Sequence, residues 1–246
     1  MPERIGAIVR ARMGSSRLPG KSLKLIAGKP LLAHLIDRLK LYSRIDEIVI
    51  ATTTDSIDDP ICVLAQEMGV KHFRGSEEDC LLRVLQAAKK WNIDTIIELT
   101  GDNPLMELSV LDGLIELFST GKYDYVANNL KRTYPRGIAA KIFRTRDLEA
   151  IENITKDPAE REHVSLYFYE HPEKYRLGNL EAPVELARPE LRFTVDTQED
   201  FDFVSKVFGS FYPKTEKFTL AEALRVVDKN PEWKKINEGI QVKSVR

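Results

Sequence analysis

The sequence predicts an α/β protein built on a mostly parallel sheet, and three observations carry that reading. Short apolar runs alternate with segments of helical period through the first half of the chain, the pattern of strands joined by crossover helices. The first run, at 5–9, leads directly into a loop rich in glycine, serine and basic residues. Apolar residues make up 43% of the 246 residues and charged residues 30%, the balance of a globular domain. No repeat, low-complexity segment or flexible linker divides the chain. A single domain over 1–246 is expected, with a smaller excursion at about 130–190.

The elements follow in order. Apolar residues at helical spacing from Leu31 predict a helix over 31–39. A strand is expected over 46–52. Asp58, Asp59 and Pro60 suit a helix N-terminus and open a helix to Met68, which Gly69 ends. A short strand over 70–73 and a helix over 77–91 come next. A strand over 94–99, a helix over 109–118 and a strand over 123–127 complete the regular part. Beyond it, Tyr134-Pro135-Arg136-Gly137 reads as a turn. Strands are expected over 138–144, 175–180 and 191–195, and helices over 159–169, 199–208 and 220–228.

The stretch of greatest interest is Ala11-Arg12-Met13-Gly14-Ser15-Ser16-Arg17-Leu18-Pro19-Gly20-Lys21. It holds two glycines, two serines and three cations. Glycines let backbone N–H groups turn toward one point, hydroxyls add donors, and Arg12, Arg17 and Lys21 add charge, which suits a polyphosphate. Gly20-Lys21-Ser22 looks like the end of a Walker A loop, but Gly14 lies one residue too far upstream and helical period begins only near Leu31. No Gly-x-Gly-x-x-Gly occurs, which removes the main argument for a dinucleotide oxidoreductase.

Two aspartates are expected at strand ends. Asp102 lies in Thr100-Gly101-Asp102-Asn103-Pro104, where Gly101 allows close backbone approach and Pro104 stops the strand. Asp196 ends the run at 191–195. Each has a structural reading as well: Asp102 as a turn cap, Asp196 as the residue orienting Thr197, whose Thr-x-x-Asp200 spacing is a capping box. With the basic loop, the pair forms the parts list for Mg²⁺-assisted phosphoryl chemistry.

Net charge is −1, so no overall basicity points to nucleic acid. No run reaches the ~18 apolar residues of a membrane span, and no signal peptide is expected. Cys62 and Cys80 lack metal-ligand spacing and His34, His72, His163 and His171 do not cluster, so neither a zinc site nor a disulfide is expected, and the location expected is cytoplasmic.

These residues resemble the CMP-sugar-acid synthetases, whose members include CMP-Kdo and CMP-sialate synthetases, and most of all their SpsF-like branch of spore-coat polysaccharide biosynthesis. The segment 11–21 resembles the family signature. Phe73-Arg74-Gly75-Ser76-Glu77-Glu78-Asp79, Thr100-Gly101-Asp102-Asn103-Pro104-Leu105, Tyr134-Pro135-Arg136-Gly137, Arg161-Glu162-His163-Val164 and Val195-Asp196-Thr197 resemble further motifs, in the same order. The resemblance implies a Rossmann-like, three-layer nucleotide-diphospho-sugar transferase fold, a homodimer, and transfer of CMP from CTP to a small acceptor with release of pyrophosphate. It implies catalytic roles for Arg12, Lys21, Asp102 and Asp196. A nucleotide site of Ala11, Arg12, Gly14, Ser15, Arg17, Lys21, Arg74, Gly101 and Asp102 is implied, with Asp102 and Asp196 binding Mg²⁺. Arg136 and His163 would lie toward the acceptor. The family commonly carries Asp-x-Glu after the Pro-x-Gly turn; here Ala139 and Lys141 stand there. Both share a strand face, so Lys141 is expected to favour an anionic acceptor, a sugar acid or a phosphorylated compound. A nucleotidylyltransferase making a nucleoside-diphosphate product and a non-catalytic nucleotide-binding protein are the alternatives.

Overall fold

A computed structural model describes residues 3–241. Seven strands form one sheet: β1 (Ile5–Arg10), β2 (Glu47–Thr53), β3 (Lys71–Gly75), β4 (Thr95–Thr100), β5 (Tyr125–Ala127), β6 (Lys141–Arg144) and β7 (Leu177–Asn179). Their order across the sheet is β3-β2-β1-β4-β6-β5-β7. β6 runs antiparallel to β4 and β5, and every other pairing is parallel.

The strands are apolar on both faces because helices cover both. On one face lie α1 (Leu31–Lys40), α2 (Asp59–Glu67), α4 (Leu108–Ser119), α8 (Gln198–Gly209) and α9 (Leu220–Lys229). On the other lie α3 (Cys80–Lys90), α5 (Thr145–Ile154) and α7 (Leu166–Glu170). Successive strand residues feed the two cores alternately. Ala7 and Val9 join the first core and Ile8 the second; Ile97 and Leu99 join the first and Ile96 the second. This is the three-layer arrangement the strand–helix alternation predicts. Both cysteines are buried and free, and no helix among the described residues is long and apolar enough to cross a membrane.

Helix ends follow local chemistry. Asp79 caps α3 by accepting from Leu82 N at 2.9 Å, and the Thr197–Asp200 capping box opens α8. Gly69 closes α2 at φ +64°.

The second half departs from expectation at four places. The helix expected over 159–169 is two short helices, α6 (Pro158–Glu162) and α7, broken where Val164 adopts φ +50° with its side chain fully buried. No strand forms over 191–195. That segment buries Leu191, Phe193 and Val195 at period two, but among the described residues its one β-bridge is an isolated parallel bridge from Arg192 to Arg136. The strand expected over 138–144 begins only at Lys141, because the Asn128 side chain takes the ladder's place, donating to Ile138 O at 2.8 Å and accepting from Ala140 N at 3.0 Å. Helix α5 was not foreseen, although Leu148 and Ile151 mark its buried stripe. The segment 130–190 is woven into the main sheet through β6 and β7.

One buried carboxylate anchors the loop after β1. Asp58 accepts from Met13 N at 2.7 Å, Thr52 Oγ1 at 2.9 Å, Thr53 N at 3.1 Å and Thr53 Oγ1. Burial opposes its charge, yet these hydrogen bonds hold it below the usual carboxylate range. Its group is therefore a loop clamp, beyond the helix-terminus role expected of it. Asp58→Ala leaves Met13 N and two threonine hydroxyls without their acceptor, and a loss of about 3 kcal/mol is expected in chemical denaturation. Because the folded pKa is depressed, the carboxylate's contribution is present above the unfolded carboxylate range and fades as pH falls through it. The wild-type advantage over Asp58→Ala should shrink below about pH 4.

Candidate active site

The carboxyl ends of β1 and β4 open into a cleft of about 700 Å³. Gly101 makes the junction: a Cβ there would meet Ala11 Cβ at 3.0 Å and Arg10 O at 3.2 Å. The loop at 11–21 folds onto itself, with Ser15 N and Gly20 N both donating to Met13 O, at 2.8 and 3.0 Å. Leu18 is buried and pins it to the core, while Gly20 adopts φ +70° and turns the chain into Lys21.

Lys21 is the centre of the site. Its ammonium donates to Asp102 Oδ2 at 2.8 Å, Asp196 Oδ1 at 2.9 Å and Val195 O at 2.8 Å. Burial alone would lower its pKa, but the two aspartates raise it. Asp102 is held below the carboxylate range against the effect of burial, by Lys21 and by Thr100 Oγ1 at 2.7 Å. Asp196 also meets Arg17 at 3.1 Å and Arg192 at 2.7 Å. Arg192 is fixed by Asp200, which in turn accepts from the backbone N–H groups of Asp196 and Thr197. Asp200 thus does the capping, and Asp196 lines the cleft beside Lys21.

One cation lies within hydrogen-bond distance of both Asp102 and Asp196, so their spacing suits a shared cation. Among the described residues no group of three or more His, Cys, Asp or Glu is arranged to hold a metal. A Mg²⁺ ion here would take its remaining oxygen ligands from water or a bound anion.

Ala11, Arg12, Ser15, Arg17, Lys21, Gly101, Asp102, His163 and Asp196 all line the cleft. Arg12 pairs with Glu77 at 3.1 Å across its mouth. His163 ends α6 in the cleft wall, and burial, with Arg10 and Lys141 nearby, pushes its imidazole below the ordinary range despite Glu162. Gly14 belongs to the loop but not to the lining.

Three expected site residues are placed elsewhere. Arg74 is tied to Thr53 O, Asp55 O and Asp59 beside α2 and does not line the cleft. Lys141 faces Glu98, its in-register partner on β4, at 3.2 Å, and Arg10 shares the same oxygen at 2.9 Å. One carboxylate thus serves two cations within the sheet, and Lys141 does not line the cleft. Arg136 lies outside the lining, on the turn beside Arg192. Sequence reasoning missed Arg10 and Arg83 in the wall, and the positioning roles of Arg192 and Asp200. A capping aspartate four residues after Asp196 was the available signal for the last.

A cytidylyltransferase family model matches residues 6–236. The spore coat polysaccharide biosynthesis protein SpsF of Bacillus subtilis is 34% identical over 232 residues, covering 92% of this chain and 94% of SpsF. A 3-deoxy-manno-octulosonate cytidylyltransferase of Anaeromyxobacter dehalogenans is 29% identical over 187 residues, covering 74% of this chain and 70% of that one. The solved structure of a cytidylyltransferase from Leptospira borgpetersenii superposes with a TM-score of 0.88 at 34% identity, covering 98% of this chain and all of that one. With the basic loop, the paired aspartates and their sheet placed as above, this protein belongs to the cytidylyltransferase family.

Proposed function

We propose that this protein transfers CMP from CTP to a small anionic acceptor and releases pyrophosphate, with Mg²⁺ as cofactor. The observation that supports this most is the convergence of Lys21, Asp102 and Asp196 beneath the loop at 11–21. In this reading Arg12 and Lys21 hold the β- and γ-phosphates, with Ser15 and Arg17 supporting the triphosphate. Lys21 exchanges its aspartate contacts for phosphate as the nucleotide enters, and Asp102 and Asp196 are the residues that would hold a metal. Bound there, it would supply charge neutralisation for the triphosphate. An acceptor oxygen attacks the α-phosphorus in line and pyrophosphate departs toward Arg12 and Lys21. Positioning and charge stabilisation supply most of the rate.

An acceptor carboxylate or phosphate is ionised at neutral pH and needs no general base. The name of the SpsF relative supports a polysaccharide precursor as the product. The reading includes a homodimer formed on the 130–190 segment, where Val184 is 87% exposed, and a cytoplasmic location.

Two outcomes are expected. Pyrophosphate release is measured with Mg²⁺ and CTP across sugar acids, phosphorylated small molecules and neutral sugars. Asp102→Asn, Asp196→Asn and Lys21→Ala should each reduce it by about 10²–10³ while the protein stays folded; near-wild-type turnover in folded Asp102→Asn would remove the metal role. Chelation by EDTA should abolish release without moving the thermal midpoint by more than about 1–2 °C, because Lys21, Arg17 and Arg192 already balance the carboxylates in the metal-free protein.

A further inference from the structure

Of the guanidinium groups around the cleft, Arg83 donates to Ser76 O and Cys80 Sγ, and the others have carboxylate partners: Arg10 with Glu98, Arg12 with Glu77, Arg17 with Asp196, Arg161 with Asp79, and Arg192 with Asp196 and Asp200. Arg132 and Arg136 do not. Among the described residues neither has a carboxylate within ion-pair distance, and neither side chain makes a hydrogen bond, although both are half-buried. Burial lowers both guanidinium pKa values, and the charges they face lower them further: Arg136 and Arg192 for Arg132, and Arg192 for Arg136.

The fold holds this repulsion in place. Arg136 and Arg192 are paired across a parallel bridge, with Arg136 N donating to Leu191 O at 2.9 Å and Phe193 N to Arg136 O at 2.7 Å. Bridged residues project to the same side, so the Arg136 side chain starts beside that of Arg192, whose Nη2 lies 2.7 Å from Asp196 Oδ2. The turn itself is fastened at Thr133, which accepts from Ala182 N at 2.8 Å, and at Lys131 N, which donates to Asn179 Oδ1 at 3.0 Å. Gly137, at φ +93°, brings the backbone so close that a Cβ would lie 2.3 Å from Thr194 N. Two uncompensated guanidinium charges therefore face Arg192, which binds the cleft carboxylate Asp196, just outside the cleft lining. A bound anion would relieve them.

We propose that Arg132 and Arg136 form the acceptor's anion subsite, and that the group they read is the dianionic phosphate of a phosphate monoester. Two free charges match a dianion, and planar guanidinium forks suit phosphate oxygens; a carboxylate would leave one charge unmatched. The inference rests on the transferase reading of the cleft and assigns its acceptor to the phosphorylated class, with the cationic recognition placed at 132 and 136.

The test is a ³¹P NMR titration of inorganic phosphate into the full chain, saturated with Mg²⁺ and the non-reacting analogue α,β-methylene-CTP so that the triphosphate loop is filled. Wild type should bind phosphate more tightly than acetate, the latter measured by competition. Arg132→Ala and Arg136→Ala should each weaken phosphate by roughly ten- to a hundredfold, with affinity for the analogue unchanged. Arg132→Lys should fall between, keeping the charge and losing the fork. Phosphate binding that is absent, or equal in all variants, would overturn the proposal. So would acetate binding as tightly as phosphate, or alanine variants that change only the sedimentation mass, the mark of arginines facing a partner subunit's carboxylate. Failure of the analogue to bind wild type would overturn the transferase reading instead, while the phosphate titration would still compare the variants.

Discussion

The structure of the site depends on one ammonium group held between two carboxylates. Lys21 comes from the loop after β1, Asp102 from the end of β4 and Asp196 from the segment before α8, so a single contact ties together parts of the chain 81 and 175 residues apart. Burying these charges is costly unless each is matched. Here three cations, Lys21, Arg17 and Arg192, meet three carboxylates, Asp102, Asp196 and Asp200. The network is neutral and offers little net attraction to a bare divalent cation. A metal arriving with a triphosphate brings its own compensating charge, and on the proposed reading the two enter together.

The rest of the fold serves that contact. Parallel strands bring β1 and β4 to end side by side, and helices on both faces shield them from water. Gly101 lets the two strand ends nearly touch, and Asp58 fixes the start of the loop so that its basic residues face the cleft. Asp200 satisfies the backbone ahead of α8 and holds Arg192, which in turn orients Asp196. The Arg10–Glu98–Lys141 cluster lies within the sheet near the same end, its charge partly balanced in place.

The sequence revealed most where local chemistry decides the outcome. The first five strands, the helices between them and the loop at 11–21 were legible because period, turn residues and charge all act within a few positions. Asp102 and Asp196 were legible because each follows an apolar run that must end. Arg74 and Lys141 were misplaced because their surroundings are set by distant partners: Asp59 and the backbone before α2 hold Arg74, and the β4–β6 register sets Glu98 against Lys141. The run at 191–195 has the period of a strand, but a strand also needs a neighbour along its length; among the described residues this one has a single bridge, to Arg136, and one hydrogen bond from Val195 N to Asp102 O. The break at Val164 was hidden for the same reason, since the core that pulls its side chain inward is built from residues far away in the chain.

On the proposed reading the cleft binds CTP as a metal complex over the Asp102–Asp196 pair. Calorimetric titration of wild-type protein with CTP, UTP, ATP and GTP, each with and without Mg²⁺, tests it most directly. CTP should bind most tightly, Mg²⁺ should strengthen its binding, and Mg²⁺ alone should bind weakly. CTP affinity indifferent to Mg²⁺, or no preference for CTP among the four nucleotides, would contradict it.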